Sequence, residues 1–183
     1  MAGHIDAAAL AAALPHVLAA PRREGSVRLL CARPRHNARV FPDSLTLTRA
    51  AGVVGDCEAE SPWLRLPDGR PDPQTQVSLL PFRVLDLVWA GRDPGGYPGD
   101  NIIVDLDLSH DALSPGTLLR AGTAVLRVSA VPNDGCAKWK VRFGTDAYHW
   151  VRAPEHARLR LRGLFCSVEQ DGVVTLDDRI SPV

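Results

Sequence analysis

Apolar residues along this chain fall in short runs that mostly alternate with polar ones, and Gly, Pro and Asp separate the runs. Residues 44–48 set Leu45 and Leu47 between Ser and Thr, the period of two expected of a half-buried strand. Residues 101–108 alternate around Asp105 and Asp107, and residues 26–32 put Val27, Leu29 and Cys31 on one side. Further strands are predicted at 75–80, 117–119, 123–131, 173–176 and 179–180. A hairpin is expected to turn at Ala121-Gly122, and the last two strands close around Asp177-Asp178. Residues 158–168 alternate Arg with Leu and then become apolar.

Helical spacing is rarer. Residues 6–19 carry Leu10, Leu14, Val17 and Leu18 on one face, with Asp6 as cap and Pro15 expected to divide the helix. Residues 82–90 repeat Val84, Leu85, Val88 and Trp89 at helical intervals, and residues 136–150 read as a helix in two pieces broken at Gly144. Segments 61–73 and 93–99 are rich in Pro and Gly and read as a surface loop and a turn.

Many short strands with three or four helices point to a mainly β, α+β architecture, a barrel or sandwich decorated by helices. Helices of crossover length seldom separate the strands, which argues against a doubly wound parallel sheet. The 183 residues suit one domain with an arm, drawn here as a helical arm over 1–25 and a domain over 26–183. Lys and Arg number 21, as do Asp and Glu, so no basic surplus favours broad binding to nucleic acid or to an anionic membrane. The first 20 residues are Ala-rich but lack a basic start and are interrupted by Asp6 and Pro15; they are read as neither signal peptide nor span. The four cysteines form no Cys-x-x-Cys pair, which argues against structural zinc and suits a reducing, cytoplasmic setting. Dinucleotide, Walker, Gly-x-Ser-x-Gly and His-Glu-x-x-His motifs are missing from the sequence.

Candidate chemistry concentrates in residues 131–144. Asp134 or Asn133 is positioned to cap a helix, which puts Cys136 in its first turn, where the helix end favours negative charge on sulfur. Lys138, Lys140 and Arg142 follow within two turns. The competing reading of Cys136 is a buried structural thiol. Arg33, Arg35, His36 and Arg39 form the densest cation cluster, either an anion clamp or a solvated loop. Asp105 and Asp107 share a face that suits solvent better than a cation, and Arg158, Arg160 and Arg162 alternate in the same way. His149, beside Tyr148 and Trp150, is a packing residue or a proton acceptor.

The ordered motifs resemble the MOSC domain, named for the C-terminal part of molybdenum-cofactor sulfurases. They are Arg33-Pro34, Gly52-Val-Val-Gly-Asp56, Thr75-Gln-Val-Ser-Leu79 with Arg83-Val84, the run 99–109, Leu113-Ser-Pro-Gly-Thr-Leu118, Gly135-Cys-Ala-Lys138, Arg142-Phe-Gly144 with Asp146-Ala147, and Leu161-Arg-Gly163. The resemblance, closest to small stand-alone bacterial members, implies a MOSC-type β-barrel with peripheral helices. It makes Cys136 the hallmark cysteine, a carrier of sulfur or a ligand of molybdenum held by a pterin dithiolene. It implies reduction of N-oxygenated compounds or cofactor sulfuration on a small-molecule substrate. Cys136, Asp134 and Lys138 are the catalytic candidates, and Arg33, Asn133, Arg142 and Arg162 the cofactor-binding ones; of these, Cys136 and Arg162 are what the resemblance implies. No flavin, haem or iron–sulfur signature is found, so a reductase would draw electrons from an external redox partner. Asn133-Asp134 stands where small members carry His-Thr, which removes the usual proton acceptor beside the thiol. Two alternatives remain open: a cofactor-free enzyme using Cys136 and Asp134 on a small metabolite, with Asp134 tuned by burial, and a non-catalytic ligand-binding or carrier module.

Overall fold

The structure, a computed structural model, describes residues 3–89 and 97–183. Seven strands close a barrel: β1 (Gly25–Leu30), β4 (Val77–Pro81), β5 (Ile102–Asp105), β6 (Leu118–Ala121), β7 (Ala124–Val128), β8 (Leu164–Gln170) and β10 (Arg179–Pro182). Around the barrel their order is β1-β10-β6-β7-β8-β4-β5. All neighbours are antiparallel except β4 and β5, and the parallel pair has the helix α2 (Phe82–Val88) in its crossover. The strands β2 (Ser44–Thr48), β3 (Gly52–Val53) and β9 (Gly172–Thr175) form a separate three-stranded sheet in the order β3-β2-β9.

The apolar residues divide between two cores. Val27, Leu79, Ile102, Val104, Leu126 and Ile180 fill the barrel. Leu10, Val84, Leu85, Ile103, Trp139 and Phe143 lie in a second core outside it, where α1 (Ala7–Leu18) packs with both α2 and α3 (Ala137–Arg152). Strand β5 serves both, with Ile102 and Val104 in one core and Ile103 in the other; a strand covered on two faces is apolar throughout. The polar alternation expected over 101–108 therefore begins only at Asp105. Its carboxylate pairs with Arg83 at 2.8 Å, and Asp107 pairs with Arg22 at 3.2 Å.

Two expectations about the first elements are corrected. Register shifts between Val27 and Leu29 in the β1–β5 pair. Leu29 and Cys31 accordingly leave the barrel side and join the outer core, because a bulge reverses which face the following residues occupy. Pro15 does not divide α1. It lies in the last turns, its carbonyl still accepts the Ala19 N–H at 3.1 Å, and only the bond its own missing N–H would donate is lost. Gly144 does break α3, with φ 90° and ψ 170°. His4 lies where a side chain at Gly144 would project, within 2.8 Å of a Cβ built there. The predicted turn at 93–99 lies for the most part outside the described residues. Among the described residues no helix is long and apolar enough to cross a membrane.

Candidate functional site

A cavity of about 480 Å³ opens between the start of α3, the segment after β1, the loop before β4 and the turn before β8, a size ordinary for small-molecule sites. Its walls bring together Cys136, Asp134, Lys138, Arg33, Asn133, Arg142 and Arg162 from three separate parts of the chain. Arg35, His36 and Arg39 line it too. His149 is exposed and does not line it.

Arg33 leaves β1 toward the cavity and is held by Asp56. The Asp56 carboxylate accepts the Arg33 backbone N–H at 2.8 Å, its Nε at 3.1 Å and its Nη2 at 2.8 Å. It also accepts the Glu58 N–H at 2.9 Å and the Asn101 amide at 3.1 Å. Asp56 raises the Arg33 guanidinium further above its usual value, against the opposing effect of burial, which is the largest influence. With Glu58 also 3.4 Å from Nη2, Arg33 is neutralised within the protein. The cations with fewer carboxylate partners are Arg39, Arg142 and, at the rim, Arg35 and Lys138.

Arg162 reaches the cavity from a turn rather than from a strand. Residues 154–159 form a 3₁₀ helix, Arg160 is left-handed at φ 49°, and the Gly163 N–H closes the turn on the Arg160 carbonyl at 2.7 Å. The alternation of Arg158, Arg160 and Arg162 is thus not a solvated strand face. Arg158 pairs with Asp111, Arg160 donates to the Leu113 carbonyl, and Arg162 turns inward. A Cβ on Gly163 would stand 2.0 Å from the Leu79 carbonyl oxygen, and its φ is 88°, so only glycine lets this turn lie against β4. Arg162 stacks over the Trp139 ring at 4.6 Å and donates to Asp100 Oδ1 at 2.8 Å.

The expected caps are corrected as well. Asn133 and Asp134 lie ahead of the helix, and Cys136 itself is the N-cap residue of α3, extended at φ −92° and ψ 175°. Its carbonyl accepts the Trp139 N–H at 2.9 Å, and no side chain caps the helix. The thiol is exposed at the cavity wall instead of buried. Asn133 donates to the Arg162 carbonyl at 3.4 Å. Asp134 is exposed, so the burial that would make it a tuned acid or base is lacking.

Electrostatics gather these groups more closely still. Arg142 is pushed below its usual value first by burial and then by the cation Arg39, with Arg162 adding to this and Cys136 and Asp100 opposing it. Six cationic side chains and three carboxylates line the cavity, a local surplus in a chain of zero net charge. Among the described residues five buried side-chain polar atoms have no hydrogen-bond partner; four of them, Arg39 Nε, Asp100 Oδ2, Trp139 Nε1 and Arg162 Nε, belong to residues lining this one cavity. The Asp100 side chain is only 2% exposed. Buried groups left this way cost about 1–3 kcal/mol each unless something supplies the missing partner.

Several wall residues escaped sequence reasoning. Cys57, Glu58, Trp63, Ser78, Asp100 and Phe165 all line the cavity. The Asp100 and Arg162 partners are 62 residues apart, beyond any local pattern. Cys57 is partly buried, which raises its pKa. No group of three or more His, Cys, Asp or Glu among the described residues is placed to hold a metal, so a metal on Cys136 would need donors from outside that set.

Comparison with known proteins agrees with this architecture. The MOSC domain profile matches residues 75–181. The chain belongs to the MOSC domain family. Its fold is similar to that of YuaD from Bacillus subtilis, at 20% identity and a TM-score of 0.56, covering 86% of this chain and 94% of that one. YiiM from Escherichia coli is similar at 19% identity and 0.54, covering 86% and 69%. YiiM from Geobacillus stearothermophilus is similar at 16% and 0.55, covering 87% and 75%. No curated protein matches the sequence. The matched span holds Cys136, Arg142 and Arg162, while Arg33, Arg39 and Trp63 come from the chain ahead of it.

Proposed function

We propose that the cavity binds an anionic molybdopterin-type cofactor and that the chain reduces N-oxygenated small molecules there, with Cys136 as the protein's ligand to the metal. The observation that carries this reading is the set of unpartnered buried atoms at Asp100, Arg39 and Arg162 in a cation-rich cavity with an exposed thiol at its wall. The donor set fits the group. Guanidiniums suit phosphate oxygens, a carboxylate oxygen suits ring N–H groups, and a thiolate is a soft ligand. Bound there, the group would supply a two-electron redox centre, reduced by electrons from an external redox partner.

The protein's own residues do the rest. Arg39, Arg142 and Arg162 bind and orient negative charge. Trp139 and the Asp100 carboxylate hold Arg162 in place. The α3 N-terminus and Arg142 bring positive charge to the wall that carries Cys136. Lys138, exposed at the rim, gives a proton to a leaving oxygen in this reading.

Metal and pterin content of protein made in a cofactor-competent host tests this. Wild type is expected to carry both, Cys136→Ser to lose molybdenum, and Arg142→Ala to lose pterin. Folded wild type with neither refutes the proposal. A second reading, sulfur transfer, is favoured by the exposure of Cys136; it predicts a native mass higher by one sulfur atom that reductant removes.

A further inference from the structure

We propose that Trp63 and Phe165 form a stacking subsite on the cavity wall for a planar aromatic or heteroaromatic ring, and that the ligand taking it also carries an anionic group. Trp63 is 58% exposed, a large apolar surface for a soluble domain to leave open. It lies on the cavity beside Phe165, with ring centroids 5.2 Å apart and planes inclined at 33°. Two rings so inclined on the cavity wall, one of them exposed, make a shelf whose faces a third ring can stack against.

The shelf is anchored. The Trp63 N–H donates to Glu58 Oε1 at 2.7 Å, and Glu58 Oε2 meets Arg33 Nη2 at 3.4 Å. Just beyond, the loop is stapled by Asp72 N–H to the Leu64 carbonyl at 3.0 Å and Leu66 N–H to the Arg70 carbonyl at 2.8 Å. These bonds fix the backbone that carries the indole, so the loop loses little freedom when a ligand covers the ring. The anionic requirement comes from a separate observation: the same cavity holds Arg39, Arg142 and Arg162, two of them with unpartnered buried Nε atoms. A ring on the shelf and an anion on the cations describe an aryl or heteroaryl phosphate or carboxylate. The inference needs the cavity, its cations and the indole, and it requires neither molybdenum nor Cys136.

Calorimetric titration of the full chain, made in a host that does not synthesise molybdopterin so that the arginines are free, with 1-naphthyl phosphate and with ethyl phosphate tests it, because the two probes share the anion and differ in the ring. Naphthyl phosphate is expected to bind at least tenfold more tightly. Trp63→Ala is expected to remove that advantage and leave ethyl phosphate unchanged, Trp63→Phe to keep most of it, and Arg142→Ala to weaken both probes. The exposed position of Trp63 makes Trp63→Ala a variant that folds, which its circular dichroism verifies. Equal affinity for the two probes, or undiminished naphthyl binding by Trp63→Ala, overturns the stacking subsite and leaves the cofactor proposal standing. Binding of neither probe overturns the subsite together with the role given to the arginines.

Discussion

Replacing Asp56 by Asn changes one atom, and the structure gives a reason for a large effect. Five donors converge on this carboxylate: three on Oδ2, from the Arg33 backbone and Nε and from Asn101, and two on Oδ1, from Arg33 Nη2 and Glu58. An amide offers one oxygen. If it takes the Oδ2 position, its NH₂ faces Arg33 Nη2 and the Glu58 N–H; the flipped rotamer opposes three donors. Neither orientation satisfies the set, and the guanidinium also loses its buried counter-charge. Removing one partner of a buried pair costs about 3–5 kcal/mol. Arg33 remains 28% exposed and keeps Glu58, which places the expected loss near the lower end, about 3 kcal/mol. In a chain of this size that is a fall in melting temperature of about 6–12 °C. Urea unfolding of wild type, Asp56→Asn and Asp56→Ala measures it, and the two variants should fall together. An Asp56→Asn midpoint within about 2 °C of wild type in a thermal melt refutes the claim that the doubly loaded carboxylate holds this corner of the cavity.

Other expectations follow from the same contacts. Gly163→Ala places a methyl 2.0 Å from the Leu79 carbonyl oxygen at φ 88°, so it should cost more than the roughly 1–3 kcal/mol of backbone strain alone; an unchanged urea midpoint contradicts this. The Cys31 thiol is pushed up by burial from an ordinary value of 9.0 to about 12. Its protonated form is favoured in the folded state, so its contribution is intact below pH 9.0 and fades as pH rises toward 12. Cys31→Ala should therefore flatten the alkaline loss of stability by up to about 1.4 kcal/mol per pH unit, with Tyr97 and Cys166, also raised by burial, supplying the remaining slope. Identical slopes in urea titrations across that range rule the linkage out.

That Cys136 lies at a helix start near a cluster of cations was readable in the sequence because its signals are local: a cysteine followed by cations at helical spacing, in a motif order similar to one family's. The helix start was misplaced by three positions at most, since cap preferences assume a side chain that accepts a hydrogen bond, and Cys136 begins α3 with its backbone alone. The Arg158–Arg162 alternation misled for a different reason. Period two describes a strand only where the backbone is extended, and the left-handed Arg160 with the close approach of Gly163 to β4 is a tertiary fact. Trp63 sat in a segment correctly read as a Pro- and Gly-rich loop, but composition does not say which loop residue faces a cavity. Asp100 stands in the motif run 99–109, but its pairing with Arg162, 62 residues away, is a tertiary fact.

The barrel's seam lies between its first and last strands, since β10 inserts between β1 and β6. A ribosome must therefore deliver residue 182 before the cylinder can shut. Until then the nascent chain presents two bare β edges, and a stalled or clipped polypeptide offers them to its neighbours.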